Sequence, residues 1–355
     1  MKLFILAVFC ISQVLCAEDW YFPYELHDSA WTEEVKADRP KDLVEVAKKL
    51  RLNKLIEYLT FAGLADTIKT GGPFTVFAPS DKAFDEMLRC PYLKKELFAN
   101  KTRVAELLTY HVISGEVLSK QLSNELLAPS LLKVDGKAIN IRVNIYDKGK
   151  IVTATGSKVV KVDQKASNGV IHVIDKVMFP VPVSDIVTVL SKFEKVSSTL
   201  VTAVKAAGLV ETLQGEGPFT LFAPSNRAFA KLPKEKLDDL LNNKTALADL
   251  LTYHVVAGTI YSDGIDGGLT SVPTVEGKSL KILKCPWSGR VSVNGANVWG
   301  PNLSVSNGVI HLIDAVLIPP PVEKETTSEN KPLPWMQLKK AFGVGVQRME
   351  QFGRL

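Results

Sequence analysis

The sequence predicts an α+β fold that is repeated as two domains in tandem. Three blocks of sequence recur in one order at nearly one spacing, which is the pattern of a duplicated domain. Within each copy, residues with helical periodicity come first, and short apolar runs separated by glycines come later. The chain has 355 residues, 46% of them hydrophobic and 23% charged, so each copy is long enough to bury a core of its own.

The recurring blocks set the length of the unit. Residues 72–80 are GPFTVFAPS and residues 217–225 are GPFTLFAPS; LLTYHV occurs at 107–112 and 250–255, and SNGVIH occurs at 167–172 and 306–311. The three offsets are 145, 143 and 139 residues. Solenoid repeats are only about 20–50 residues long, so the duplicated unit is a complete folding domain.

Local patterns predict the elements of each unit. Residues 42–64 carry apolar side chains at helical spacing, which indicates a helix. The apolar run after Gly-Gly-Pro, residues 74–77, predicts a buried strand, and Ser80 is placed to cap the next helix. Asn168-Gly169 and Asn307-Gly308 predict tight turns before Val-Ile-His strands. Six recurring aromatic residues predict a shared core: Phe74, Phe77, Phe84, Phe219, Phe222 and Phe229.

The first sixteen residues are typical of a secretory signal peptide. Lys2 supplies the positive start, residues 3–11 are mainly apolar, and small residues precede a cleavage site before Ala17. No later segment offers about twenty uninterrupted apolar residues, so we expect a secreted, extracellular protein that does not span a membrane. A net charge of +5 is too small to indicate nucleic-acid binding.

Cysteines and glycosylation sequons suit that location. After loss of the signal peptide two cysteines remain, Cys90 and Cys285, at non-equivalent places; they are either free, joined to each other, or joined between chains. Three sequons predict a glycoprotein modified at Asn100, Asn243 and Asn302.

The three blocks resemble the motifs of the fasciclin-like FAS1 family, in both copies and in the right order, over roughly residues 40–320. The resemblance implies two tandem FAS1 domains, each a twisted β-wedge packed with helices. The predicted organisation is a signal peptide at 1–16, an acidic aromatic arm at 17–39, domain 1 at 40–180, domain 2 at 183–320 and a basic tail at 321–355. Members of the family are mostly extracellular adhesion or matrix proteins, so the resemblance also implies that function.

In the family, adhesive activity is linked to integrins through a Tyr-His motif flanked by aliphatic residues and through an Asp-Ile dipeptide before the last motif. The first pattern occurs twice, which makes Tyr110, His111, Tyr253 and His254 the candidate receptor-binding residues. The second pattern is altered: Asp163 is followed by Gln164, and the matching place in the second copy is Asn302-Leu303. The sequence contains no Arg-Gly-Asp.

The residues provide no pattern for catalysis, a metal or a cofactor. The sequence has no His-Glu-x-x-His, no Cys-x-x-Cys, no Gly-x-Ser-x-Gly and no phosphate-binding glycine loop. We interpret the four histidines of the repeated motifs as core residues that hydrogen-bond the backbone. A non-enzymatic protein without cofactors is therefore expected.

The tail has a pattern of its own. Apolar residues recur every three or four positions, with basic residues between them, which predicts a basic amphipathic helix that docks on a partner, an anionic surface or the acidic arm. The candidate contact residues are Trp335, Leu338, Lys339, Lys340 and Phe342.

The sequence is compatible with two functions. The leading one is cell adhesion or matrix binding through protein–protein contacts with a receptor such as an integrin, a matrix component or another copy of the chain. The alternative is an extracellular carrier of a small ligand or lipid, with the amphipathic tail facing a membrane or partner; an apolar cavity inside either domain would favour it. The short Val181-Pro182-Val183 junction predicts a stiff pair of domains.

Overall fold

A computed structural model describes residues 42–320 except 234, 236–238, 241 and 266. The signal peptide, the acidic arm and the tail lie outside the described residues. In each copy helices come first, one strand is set among them, and six further strands follow, so the predicted α+β organisation is confirmed.

Domain 1 contains six helices and seven strands among the described residues. The helices are α1 Leu43–Lys49, α2 Asn53–Ala62, α3 Ala65–Thr70, α4 Asp81–Leu88, α5 Pro91–Phe98 and α6 Lys101–Tyr110. The strands are β1 Phe74–Pro79, β2 Val112–Ser114, β3 Leu126–Val134, β4 Lys137–Tyr146, β5 Ile151–Ala154, β6 Ser157–Ala166 and β7 Gly169–Ile174. They form a closed barrel in chain order, with β1 and β7 paired in parallel.

Domain 2 repeats this order. Its described helices are α7 Ile186–Lys192, α8 Glu194–Ala207, α9 Val210–Gln214, α10 Asn226–Phe229 and α11 Lys244–Tyr253. Its strands are β8 Phe219–Pro224, β9 Val255–Ala257, β10 Gly268–Pro273, β11 Ser279–Lys284, β12 Val291–Val293, β13 Ala296–Val305 and β14 Gly308–Ile313. They form an open sheet in the order β10-β11-β12-β13-β14-β8-β9, with β14 and β8 parallel.

The single helix predicted at residues 42–64 is two helices. Asp42 caps the first by accepting a hydrogen bond from the Glu45 amide at 2.9 Å. Arg51 then adopts a φ of 57°, which lies in the left-handed region and ends the helical path before α2 begins. The helical periodicity continues across the break because both helices pack on the same core, so apolar spacing alone did not reveal it.

The first repeated block builds the centre of each domain. Successive side chains of a strand point to opposite faces, so Val76 and Ala78 pack under the helices while Phe77 points into the barrel. Phe222 takes the same place in domain 2. Phe77, Phe84, Phe222 and Phe229 are buried, as predicted, whereas Phe74 and Phe219 are partly buried at the strand starts.

The Asn-Gly turns fasten the last strand to the first. The Asn168 side chain accepts from the Leu43 amide and donates to the carbonyl oxygens of Ile68 and Gly71. Gly169 has a φ of 149°, and a Cβ there would lie 2.0 Å from the Phe74 carbonyl oxygen. Asn307 and Gly308 repeat the arrangement in domain 2. The turn thus requires glycine both for its backbone angle and for the close approach of β1.

Candidate functional site

The tyrosines of the two Tyr-His motifs are buried. Tyr110 ends α6 and Tyr253 ends α11, and their exposed fractions are 0% and 1%. The Tyr110 hydroxyl donates to the Asn140 carbonyl oxygen at 3.1 Å, and the Tyr253 hydroxyl donates to that of Ser279 at 3.3 Å. Each tyrosine therefore ties the last helix of its domain to the sheet.

The histidines of these motifs use both ring nitrogens inside the protein. His111 Nε2 accepts from the Met178 amide at 3.0 Å, so its Nδ1 carries the proton and donates to the Leu107 carbonyl oxygen at 2.8 Å. His254 makes the same bonds with Leu317 and Leu250. Burial lowers the pKa of both histidines to about 4. Through these bonds the neutral rings fix Met178 and Leu317, in the segment that follows the last strand of each domain.

The other two motif histidines support the strand ends. His172 Nδ1 accepts from the Asp163 amide at 3.2 Å, and its Nε2 donates to the Val117 carbonyl oxygen at 2.9 Å. His311 repeats these bonds with Asn302 and Ile260. Burial lowers the pKa of His172, and it lowers that of His311 to about 4.

The place of the altered Asp-Ile dipeptide also has a structural role. Asp163 and Asn302 both have positive φ angles, and each side-chain oxygen accepts a backbone hydrogen bond at the start of a short 3₁₀ turn, from Ser119 at 2.7 Å and from Ser262 at 2.8 Å. Asn302 also donates from Nδ2, the atom that would carry a glycan, to Ser262 Oγ at 2.7 Å.

The other two sequons sit differently. Asn100 and Asn243 are the N-cap residues of α6 and α11, and both are exposed. Each uses Oδ1 to accept a backbone hydrogen bond, so Nδ2, the atom that would carry a glycan, takes no part in the cap. Matching positions in the repeat thus present two exposed sequons, while the third is engaged in a hydrogen-bond network.

Cys285 is a free thiol, so no bridge joins it to Cys90. Cys285 follows β11 in the loop to β12. Hydrogen bonds from the Ser288 hydroxyl and from the amides of Ser288 and Trp287 lower the pKa of its thiol.

No group of three or more histidine, cysteine, aspartate and glutamate side chains in the described ranges is arranged to hold a metal ion. Within the same ranges, no helix combines the length and apolar character needed to cross a bilayer.

A dense polar network lies between the two domains, around Thr259. Glu125 Oε1 accepts from both the amide and the hydroxyl of Thr259 at 2.7 Å, and Asn144 Nδ2 donates to the Thr259 hydroxyl at 2.7 Å. The Tyr146 hydroxyl donates to the Thr259 carbonyl oxygen at 2.9 Å. Thr259 is 4% exposed, so domain 1 encloses this residue of domain 2 almost completely.

An ion pair inside domain 1 completes the network. Arg142 pairs with Glu125 at 2.9 Å, and the Arg142 guanidinium also donates to the Ser306 carbonyl oxygen of domain 2 at 3.1 Å. The exposed fractions of the two side chains are only 8% and 16%. Breaking a buried pair leaves an uncompensated charge, which is strongly destabilising, so loss of either partner should weaken the interface.

Two further contacts extend the interface. Lys176 of domain 1 forms an ion pair with Asp263 of domain 2. The Tyr146 ring lies so close to Gly264 that an added Cβ would be 2.3 Å from it, and Gly156 meets Tyr261 in the same way at 2.5 Å. The interface thus depends on small residues that admit aromatic rings from the other domain.

The sequence did not single out this interface because the side chains that form it lie outside the repeated motifs, and Ser306, which lies within one, contributes only its carbonyl oxygen. Comparison of the two copies offers a signal in retrospect. Tyr110 and Tyr253 contact Asn140 and Ser279, and the β4–β5 pair Val143–Ala154 matches the β11–β12 pair Ile282–Val293. Asn144 and Arg142 therefore correspond to Leu283 and Lys281. These interface residues are thus positions at which the two otherwise similar domains carry different side chains.

The two best-defined clefts of the described residues do not resemble a carrier's cavity. One, of about 110 Å³, lies between the domains and is lined by Leu127, Arg142, Val181 and Tyr261 among others. The other, of about 460 Å³, is a surface groove along α7 and α8 lined largely by serine, threonine, lysine and glutamate. Ligand pockets are usually about 300–1,000 Å³ and mostly apolar, so neither cleft has both the size and the lining required.

Two α+β domains of one duplicated design, joined through a buried polar interface, define this chain as a tandem-domain protein. It belongs to the fasciclin domain family, whose model matches residues 50–180 and 195–319. The chain is 36% identical over 251 residues to transforming growth factor-beta-induced protein ig-h3 of Sus scrofa and 33% identical over 264 residues to periostin of Homo sapiens. These matches cover 70% and 74% of the chain, but only 35% and 30% of the two relatives.

Further relatives include proteins of the bacteria Synechocystis and Mycobacterium bovis, 48% and 38% identical over 125 and 112 residues. A solved FAS1 domain pair from the insect cell adhesion molecule fasciclin I is 21% identical, covers 77% of the chain with 98% of its own length, and superimposes with a TM-score of 0.36.

Proposed function

We propose that the protein is a secreted, non-enzymatic adhesion or matrix-binding protein that presents its two domains as one unit to an extracellular protein partner. Membership of the fasciclin family, with relatives that include ig-h3 and periostin, supports the adhesive class. The observation that carries the proposal is the enclosed Thr259 network, because a fixed domain pair offers a pre-organised surface and loses less freedom on binding.

The partner is either a cell-surface receptor such as an integrin or a matrix protein, and two linked domains strengthen weak contacts through effective concentration. The proposed glycans at Asn100 and Asn243 lie at equivalent helix starts. Partner contacts are therefore expected on surfaces away from α6 and α11.

The test is attachment of cells to the immobilised, glycosylated mature protein, with and without a chelator of divalent cations. Attachment that chelation abolishes indicates an integrin-type receptor, and chelator-resistant binding to purified matrix proteins indicates a matrix partner. Absence of both contradicts the proposal.

The Tyr-His motifs need a conservative variant, since replacement of a buried tyrosine by alanine would unfold its domain. Tyr110→Phe with Tyr253→Phe removes only the hydroxyl groups and keeps the rings. If the motifs act by holding the fold, the folded double variant attaches cells as the wild type does. Loss of attachment by the folded variant would instead assign the hydroxyl groups a direct part in binding.

A further inference from the structure

Domain 2 exposes a pair of leucines at the edge of its sheet. Leu269 on β10 and Leu283 on β11 are cross-strand neighbours and are 66% and 46% exposed. Trp287, in the following loop, is 93% exposed. Adjacent exposed apolar side chains of this kind are typical of interaction surfaces.

The same place in domain 1 is the domain interface. Leu283 corresponds to Asn144 by the strand pairing given above. Leu126 pairs with Val143, so the preceding residue Glu125 lies across from Asn144 as Leu269 lies across from Leu283. In domain 1 this pair is polar and encloses Thr259, whereas in domain 2 both members are leucine. A surface that stays in contact with water favours polar residues. The two leucines at these positions of domain 2 therefore indicate that an apolar segment covers them.

A second copy in the head-to-tail arrangement does not fit. Thr75 and Thr220 donate to Gly115 and Gly258, so the residue that corresponds to Thr259 is the next one after Gly115, which is Glu116. Repetition of the domain interface between copies would place the Glu116 carboxylate against two leucines where Thr259 meets the polar Glu125 and Asn144, and burial of a charge against apolar side chains is costly.

The chain itself leaves domain 2 beside this surface. Met178 and Leu317 are equivalent, since each amide donates to a motif histidine, so Pro320 corresponds to Val181. Val181 lines the interdomain cleft together with Leu127 and Arg142 of β3 and β4. The segment after Pro320 therefore begins next to β10 and β11.

The tail has the length and composition required. Trp335 is fifteen residues beyond Pro320, a reach of up to about 50 Å, while neighbouring strands are only about 4.8 Å apart. Residues 321–330 carry three glutamates and one lysine, which suits the exposed Lys281, two residues before Leu283 on β11. The apolar residues of 331–355 follow.

We propose that residues 331–355 of the same chain dock on the Leu269–Leu283 surface, in the position that domain 2 occupies on domain 1. The tail then covers the sheet edge that β10 leaves open, and Trp335, Leu338 and Phe342 supply the apolar contacts.

The free thiol of Cys285 allows a direct test. Cys285 lies two residues after Leu283, just beyond the end of β11, so it is close to the leucine pair. In an Ala341→Cys variant of the full mature chain, we expect an intramolecular disulfide with Cys285 under mild oxidation, measured by mass spectrometry of non-reduced peptides.

The matched variant changes the two leucines to the residues that domain 1 uses, Leu269→Glu with Leu283→Asn, and should slow formation of that disulfide at least tenfold. Val160→Glu, at a valine of domain 1 that is 52% exposed, is the control and should leave the rate unchanged. Thermal melting checks that each variant is folded.

Two results would overturn the proposal. One is an equal rate in the leucine variant, which would mean random encounters of an undocked tail. The other is disulfide-linked dimers whose yield rises with protein concentration, which would assign the surface to another copy. Trypsin gives an independent measurement: cleavage after Lys339, Lys340 and Arg348 should be slow in the wild type and at least tenfold faster in the leucine variant.

Discussion

Single buried side chains carry much of the stability of each domain. Phe77 is fully buried at the centre of domain 1, so truncation of its side chain leaves a cavity among apolar neighbours. We expect Phe77→Ala to lower the free energy of unfolding by about 3–5 kcal/mol, measured by urea denaturation. Phe61→Ala, at a phenylalanine that is 42% exposed, should cost much less. Equal losses in the two variants would contradict the core assignment.

The motif histidines make stability depend on pH. Burial lowers the pKa of His111, His254 and His311 to about 4, whereas an unfolded histidine titrates near 6.5. The unfolded chain therefore binds more protons between these values, and stability falls as the pH falls from about 6.5 towards 4. A loss of a few kcal/mol per domain is expected in urea denaturation at stepwise lower pH.

Carboxylates provide the contrast for that experiment. Hydrogen bonds from Thr188 outweigh burial and hold the pKa of Asp185 below its usual range, so its contribution is lost only in stronger acid. A stability that stays constant from pH 7 to 4.5 and then falls would assign acid sensitivity to carboxylates and contradict the role of the histidines.

Hydrogen bonding by the side-chain amide nitrogen of each sequon asparagine predicts which sequons are glycosylated. Asn100 and Asn243 are exposed caps, while Asn302 donates from Nδ2 to Ser262. In protein secreted from animal cells, glycopeptide mapping should find glycans on the first two asparagines and little or none on Asn302. High occupancy at Asn302 would mean that the Ser262 contact does not form before the glycan is added.

At the scale of elements, the Asn-Gly turn is the joint between the first and last strands. A methyl group on Gly169 would lie 2.0 Å from the Phe74 carbonyl oxygen, so Gly169→Ala has to separate β1 from β7. Gly136, with a φ of 77° and no atom within 4 Å of an added Cβ, is the matched control, and its replacement by alanine should cost only about 1–2 kcal/mol. Thermal melting should show a far larger loss for Gly169→Ala; similar losses would mean that backbone strain alone explains both.

Elements are also where sequence-based prediction worked best. The strand at Phe74, the Ser80 cap and the Asn-Gly turns were predicted because each depends on residues adjacent in sequence. The break between the two helices at Arg51 was missed because a residue with a positive φ does not change the spacing of the apolar residues around it. The burial of His111 and His254 and their bonds to the backbone were predicted. The burial of Tyr110 and Tyr253 was missed because their partners, Asn140 and Ser279, are far away along the chain.

At the scale of the whole molecule, the repeated motifs predict the fold of each domain but give no information about the contact between the two domains. The interface residues Glu125, Arg142 and Asn144 become visible only when the structure aligns them with Leu269, Lys281 and Leu283. The same comparison identifies the exposed leucine surface. In a duplicated chain, the differences between copies are thus informative about contacts, while the shared motifs are informative about the fold.

The fixed domain pair makes a prediction at this scale. Gly264 has no positive φ, so Gly264→Ala adds no backbone strain, but its new methyl group would lie 2.3 Å from the Tyr146 ring and push the domains apart. We expect calorimetry to resolve one unfolding transition for the wild type and two for Gly264→Ala, with a larger radius of gyration by X-ray scattering.

Gly267→Ala, whose added Cβ would meet only Pro286 at 3.6 Å, should behave as the wild type. Adding Tyr146→Ala to Gly264→Ala removes the clash and should restore the compact radius; an unchanged single transition in Gly264→Ala would mean that the Thr259 network tolerates separation of the rings and that the domains are coupled in another way.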